Sequence, residues 1–270
     1  MARRWTGEEE AEYRKELYTL YVIKNKSIGE IGKDLDIAYQ TVFDRLKRLG
    51  IVTNPQRKSR YLNKAQDVRT PSRRTAQLAE FFGVMLGDGH LSPTQVTVTL
   101  GNKEIEYVHY IQHLVQTIFG KQPRVSIRPK GYRTVYLGSV KAVRWLEKEG
   151  LVHHKVRAQV DVPPWIFTKP VFMKSFLRGF FDTDGSVYKL RFGIQISLTN
   201  RSTPLLNSLH RMLLELGYKS SAVTEYCVYL TRQGDLKRFF SEIRPANAKH
   251  VRRYQTIKSV GTQVVNEDWL

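Results

Sequence analysis

The sequence predicts an α+β protein in which a small all-α domain precedes two pseudo-symmetric repeats of helices and strands. Three observations predict it. The stretch opening "AQLAEFFGVMLGDG" and the one opening "FMKSFLRGFFDTDG" both run an apolar helix into Asp-Gly, then an alternating strand, an Asn beside a basic residue and a further amphipathic helix. The copies keep register, with Asp88 and Asp184 standing 96 positions apart and Asn102 and Asn200 standing 98 apart, a duplication too long for chance. The first fifty or so residues, by contrast, carry helical spacing alone.

In order along the chain, "EEEAEYRKELYTLYVI" spaces Tyr13, Leu17, Leu20 and Val22 at near-helical intervals, with acids in the first turn where the helix dipole favours them. Ser27 with Glu30 three residues on makes a capping box for a helix carrying Ile28, Ile31 and Leu35. A break at Asp36-Ile37 leads to a second helix that buries Val42, Leu46 and Leu49 and stops at Gly50. Two short helices across a tight turn have the form of a helix-turn-helix over residues 1–52. Its second helix would present Tyr39, Gln40, Thr41, Asp44 and Arg45 to a major groove. A plain helical bundle is the alternative. Residues 53–74 read as a basic linker: Arg45 to Arg74 holds ten basic residues and one acid, Asp67, and Arg57, Lys58 and Arg60 are its phosphate candidates.

The repeats occupy 75–168 and 169–262. In the first, "QVTVTL" turns Gln95, Thr97 and Thr99 outward. "RVSIRPKGYR" is a hairpin turning at Lys130-Gly131, with Arg124, Ser126 and Arg128 on its polar face and Arg133 beyond the turn. In the second, "YKLRFGIQISL" sends Leu190, Phe192, Ile194, Ile196 and Leu198 to the core and Lys189, Arg191, Gln195 and Ser197 the other way. "SAVTEYCVYLT" is the second repeat's further strand pair, and "VDVPPWI" joins the copies. Lys121 to Arg144 holds seven basic residues and no acid, so one face is of one sign, suited to phosphates and base edges.

Charge narrows the partner. Lys and Arg number 44 against 25 Asp and Glu, a net +19 and a pI near 10.0. That surplus favours polyanions, because neutralised phosphates release their counterions. Nucleic acid is preferred to an acidic membrane, since no strongly basic helix has a large apolar face. The chain has no apolar run of membrane-spanning length and no secretion signal in "MARRWTGEEE". Its one cysteine, Cys227, cannot form an internal disulfide. The expectation is a soluble, intracellular protein, cytoplasmic or nucleoid-associated.

The helices before Asp-Gly carry matched small-residue stripes: Ala79, Gly83 and Gly87 on one, Ser175, Gly179 and Thr183 on the other. Each stripe runs i, i+4, i+8, which lets two backbones approach closely. Two core helices touching only their own sheets are the alternative. If the stripes meet, Asp88 and Asp184 lie together at two negative helix ends, where like charges repel and divalent cations relieve them. Mg²⁺ takes a few carboxylate oxygens and keeps sites for water and phosphate. So placed, it can activate water against a phosphodiester. His153-His154 has no second pair at ligand spacing, Trp145, Phe239 and Phe240 read as core, and Cys227 as inert.

On "FFGVMLGDG" (Phe81 to Gly89) and "LRGFFDTDG" (Leu177 to Gly185), the sequence resembles the single-chain, two-motif LAGLIDADG homing endonucleases over about residues 75–260. The resemblance implies αββαββα repeats forming a saddle over DNA. It implies Asp88 and Asp184 as metal ligands for Mg²⁺ or Mn²⁺, with Gly87 and Thr183 beside them in the metal sites. Asn102 and Asn200 correspond to the polar residue that organises water, and Lys155 and Lys249 to the lysines that polarise it. The activity implied is site-specific double-strand cleavage by a monomer on a long asymmetric target, as in intron homing, leaving short 3′ overhangs. Leu86 stands where the second motif has Asp182, and the N-terminal helix-turn-helix is no part of the minimal enzyme. The rival function is a non-cleaving transcriptional regulator or an intron RNA splicing partner.

Overall fold

A computed structural model describes residues 5–53, 68–128 and 131–266, the last seven of these by backbone alone. The chain divides into two compact units, Met1–Tyr61 and Leu62–Leu270.

The first unit has three described helices. α1 (Gly7–Tyr18) starts from a Thr6–Glu9 capping box and widens into a π-helical turn over Thr19–Ile23. α2 (Ile28–Asp34) starts from the expected Ser27–Glu30 box, and α3 (Tyr39–Arg48) follows a turn in which Asp36 takes φ 49°. That turn closes tightly over α2, where a Cβ on Gly32 would stand 2.8 Å from the Ile37 carbonyl. Leu17, Tyr21, Ile31, Val42, Leu46, Leu49 and Ile51 form the core. Tyr21 takes the place expected of Val22, which is exposed, because the buried side of the helix continues four residues on from Leu17.

The second unit begins inside the expected linker. Val68 is buried, Arg69 donates its N–H to Phe119 O at 2.9 Å, and Arg74 reaches Glu149 at 3.2 Å. Arg57, Lys58 and Arg60 lie outside the described residues, as does Lys130. The first repeat runs α4 (Ala76–Leu86), β1 (Gly89–Ser92), β2 (Gln95–Gly101), α5 (Ile105–Phe119), β3 (Arg124–Arg128), β4 (Tyr132–Gly138) and α6 (Val140–Lys148). A 3-10 turn at Pro164–Thr168 leads to the second: α7 (Pro170–Asp184), β5 (Gly185–Leu190), β6 (Gly193–Thr199), α8 (Thr203–Glu215), β7 (Cys227–Leu230), α9 (Gln233–Glu242) and α10 (Ala248–Asn266).

Both sheets are antiparallel, one ordered β1-β2-β4-β3 and the other β5-β6-β7. The expected fourth strand of the second sheet is replaced by a short leg that turns at Thr224, bridges Cys227 and gives the Ser221 N–H to Tyr229 O at 2.9 Å. With so few residues before the turn, no full ladder forms. Two further expectations fail at the β5–β6 turn. Leu190 and Phe192 were expected in the core, yet Phe192 is 86% exposed and Leu190 is exposed at the rim. The turn at Arg191-Phe192, closed by Gly193 at φ 126°, breaks the two-residue period that the pattern assumed.

One apolar core joins both repeats, from Leu78 and Phe82 on α4 through Phe176 and Phe180 on α7 to Leu209 and Phe239. Among the described residues no helix is long and apolar enough to cross a membrane.

Candidate active site and nucleic-acid interface

The site is built on the meeting of α4 and α7. A Cβ on Gly83 would stand 2.7 Å from Phe180 N, and one on Gly179 would stand 2.9 Å from Val84 N. No real side chain tolerates such contact with backbone, so the small stripes are what let these helices touch. Glu80 and Arg178 pair across the same junction at 3.3 Å, and Tyr110 donates its hydroxyl to Glu80 at 2.5 Å.

At the far end the stripe closes on the acids. A Cβ on Gly87 would stand 2.9 Å from Thr183 Cβ and 3.5 Å from Asp184 Cγ. Asp184 is the last residue of α7, and Asp88 follows the Gly87 cap of α4. The glycines after the acids serve close approach: a Cβ on Gly89 would press on Met85 O at 2.7 Å, and Gly185 lies against Phe181. Neither takes positive φ, so these Asp-Gly pairs are not left-handed helix stops.

Burial and then the charge of Asp88 push the Asp184 carboxyl up to about 6, against Lys155, Asn200 and Lys249. Asp88 keeps contact with solvent, yet the protein around it also raises its carboxyl, opposed by Lys249 and Lys155 and helped by Glu104. Two acids that disfavour each other's ionisation in a partly desolvated place call for cations. Two lysines supply part of that charge. Lys155 lies in the loop after α6 and donates from Nζ to the carbonyls of Met85 (2.9 Å), Leu86 (3.2 Å) and Gly87 at the end of α4. Burial holds its ammonium below the usual lysine range, against the pull of Asp184 and Asp88. Lys249, in the first turn of α10, bridges Glu104 at 2.6 Å.

Asn200 donates to Asp184 Oδ2 at 3.0 Å and accepts the Ser202 N–H at 2.9 Å, which fixes its amide. Asn102 behaves differently: it is exposed, and its hydrogen bonds run through its backbone, N–H to Gly131 O at 3.1 Å and carbonyl from Arg133 Nε at 3.3 Å. Glu104 stands by Asp88 instead. Burial opposes its ionisation, but bonds from Lys249, Asn247 and the Gly101 N–H outweigh burial and lower it. Glu104 and Asn247 were not singled out in the sequence, and Asp182 was noted only as the acid that Leu86 replaces in the first motif. A signal for Glu104 was there: it follows Asp88 by 16 residues, as Asn200 follows Asp184.

Asp88 and Asp184 can hold a divalent cation between them. Two carboxylates suit an ion that keeps most of its waters, and among the described residues no group of three or more His, Cys, Asp or Glu comes together. The Gly87 carbonyl already faces the Lys155 ammonium, and Thr183 Oγ1 is turned back to Gly179 O (3.1 Å) and Phe180 O (3.0 Å).

Strand register defines the open faces. Thr97 pairs with Tyr136, which pairs with Arg124; Thr99 pairs with Thr134, which pairs with Ser126; and Arg128 pairs with Tyr132. Gln95, Thr97, Thr99, Arg124, Ser126 and Arg128 thus share one side, away from Val96, Val98 and Val135 in the core. Arg133 has the opposite parity, opposite Leu100 and Ile127, and belongs to the helix side of β4 near the β3–β4 turn. In the second sheet Gln195 and Ser197 share a side with Tyr188 and Ser186, but Ser197, expected outward, is buried beneath that face, where its side chain meets Tyr188. Lys189 pairs with Ile194 on the other side, and Arg191 sits in the turn over Phe192 at 5.0 Å. On α3, Tyr39 and Gln40 are exposed and Thr41 half-buried, whereas Arg45 lies over Trp5 (5.4 Å) and Tyr13 (4.9 Å). His153 binds Leu91 O at 2.8 Å and Glu147 at 2.6 Å, a tie between elements.

The family model of the LAGLIDADG-like domain matches residues 172–244, the stretch of the second repeat that runs from α7 to just past α9. The replication factor C small subunit of Methanocaldococcus jannaschii is 26% identical over 174 residues, 62% of this chain and 9% of that protein. The replication factor C small subunit of Thermococcus kodakarensis is 26% identical over 205 residues, 72% of this chain and 22% of that protein. The chain thus spans less than a quarter of either relative's length. Among solved structures, the N-terminal LAGLIDADG domain of DUF199/WhiA is similar at 13% identity and TM-score 0.46, covering 62% of this chain and 80% of that one. I-DmoI in complex with DNA and Mn is similar at 14% identity and TM-score 0.45, covering 62% and 96%.

Proposed function

We propose that this protein is a site-specific, double-strand DNA endonuclease that hydrolyses one phosphodiester in each strand with divalent metal, Mg²⁺ or Mn²⁺, at Asp88 and Asp184. The observation that carries this is the closure of α4 on α7, which brings both acids to one place with Lys155 and Lys249 beside them. A cation held there supplies a Lewis acid for the attacking water and the leaving oxygen. Asp88 and Asp184 would be the side chains that hold that ion. Asn200 keeps the Asp184 carboxylate turned inward. The two ammonium groups oppose the extra negative charge of the transition state, where fixed charges act without reorganisation. The open strand faces, with Arg124, Arg128, Gln95, Thr97, Thr99 and Gln195, read the duplex, and Tyr39, Gln40 and Thr41 of the helix-turn-helix unit add contacts on one flank.

The test is to incubate the protein with a randomised duplex library and Mg²⁺ or Mn²⁺ and sequence the ends. A unique site broken in both strands, lost on Asp88→Asn or Asp184→Asn with binding retained, supports the reading. Selective binding without ends is the result of a regulator and overturns it.

A further inference from the structure

The two half-sites are not equivalent. Lys155 of the first repeat is pinned by carbonyls at the end of α4, with its ammonium in the helix's own negative end. Lys249 of the second repeat meets no such carbonyls among the described residues; its partner is a carboxylate from the opposite repeat, Glu104, at 2.6 Å. That carboxylate is itself fixed, by the Gly101 N–H at 2.6 Å and by Asn247 Nδ2 at 2.8 Å. Asn247 is fixed in turn: Asp182 accepts its N–H at 3.1 Å and that of Ala246 at 2.9 Å, and Asn247 Oδ1 accepts the Lys249 N–H at 3.2 Å. The chain Asp182–Asn247–Glu104 therefore fixes the Lys249 ammonium at the end of β2, the strand whose Gly101 N–H holds Glu104 and whose Thr99 N–H donates to the Asp88 carbonyl at 3.3 Å. The first repeat has no counterpart, since Leu86 stands where Asp182 does.

We infer that Glu104 is the positioning residue of the Asp88 half-site, and that hydrolysis of the one strand served by Asp88 and Lys249 depends on it while the other strand does not. This deepens the endonuclease reading and rests on it. A lysine on four rotatable bonds is a poor fixed charge unless something holds it; a bond to a half-buried carboxylate that is itself held does so, and Glu104 need not touch the duplex.

The test uses the full chain and a duplex selected by the wild type from a randomised library, with each strand labelled and single-turnover rates read separately. Glu104→Gln is expected to slow one strand about tenfold, so that nicked product accumulates, with affinity for the duplex unchanged. Glu104→Asp is expected to restore part of that rate. Glu106→Gln, which removes the exposed Arg252–Glu106 bridge (2.9 Å) on the same pair of helices, is expected to leave both strands as in the wild type. Equal slowing of both strands by Glu104→Gln, no slowing in a folded variant, or the same imbalance in Glu106→Gln overturns the inference and leaves the endonuclease standing. A wild type that binds the duplex and cuts neither strand overturns both.

Discussion

Replacing Gly179 with alanine separates two physical effects by sign. On helix propensity alone, Gly→Ala inside α7 adds about 1 kcal/mol of stability. The interface says the reverse, because the new methyl would stand 2.9 Å from both Glu80 C and Val84 N, and closer still to Glu80 O. Carbon atoms rest at about 3.5–4.0 Å, so the helices must part by at least about 0.5 Å, a gap that forfeits roughly a quarter or more of each contact along the seam. Forced overpacking of this kind costs about 1–3 kcal/mol, and because the obstacle is backbone the upper end applies, leaving a net loss of about 2 kcal/mol. Urea unfolding followed by tryptophan fluorescence measures it, since Trp165 packs edge-on against Phe82 of α4 at 5.4 Å and Phe172 of α7 at 5.6 Å. Gly234→Ala in α9 is the control: nothing lies within 4 Å of its added methyl, so it should be neutral or stabilising. A Gly179→Ala protein as stable as the wild type, or more so, would refute close approach of α4 and α7.

Further outcomes follow from the same geometry. His250 is buried against Phe181 and its imidazole is pushed down to about 4, chiefly by burial, from an ordinary 6.5. Its folded value lies below the unfolded one, so its contribution is present above pH 6.5 and lost as pH falls toward 4. Wild-type stability measured against His250→Gln should therefore drop by up to about 3 kcal/mol across that window, at roughly 1.4 kcal/mol per pH unit. A difference that is flat with pH contradicts it. Deleting residues 1–61 is expected to shorten the DNA footprint while the central cut remains; an unchanged footprint removes the first unit from recognition. Asn200→Ala is expected to slow cleavage with binding retained, whereas Asn102→Ala is expected to leave both as they are.

Periodicity and duplication made much of this legible. The Ser27–Glu30 box, the paired small stripes and the alternation of β2 needed only local rules, because each is a spacing that one helix or strand imposes on itself. What failed lay where the chain leaves regular structure. Leu190 and Phe192 were assigned across a turn, where a period of two has no meaning. Lys189 was assigned to the open face by counting through a strand end, and pairing puts it on the other side. In the site, both acids were named from the repeats, and both lysines from the family resemblance. Asn102 was matched to Asn200 by residue type, whereas the side chain that turns inward is Glu104. Its partner Lys249 is 145 residues away, and no local pattern announces a bond between repeats.

The central claim is that Asp88 and Asp184 together hold the divalent ion. Mn²⁺ uptake by the DNA-bound protein, read as loss of the free-ion signal in electron paramagnetic resonance, tests it without relying on cleavage. Bound Mn²⁺ in the wild type, with uptake reduced in both Asp88→Asn and Asp184→Asn while the duplex stays bound, is the predicted result. Uptake unchanged in either variant would contradict the account.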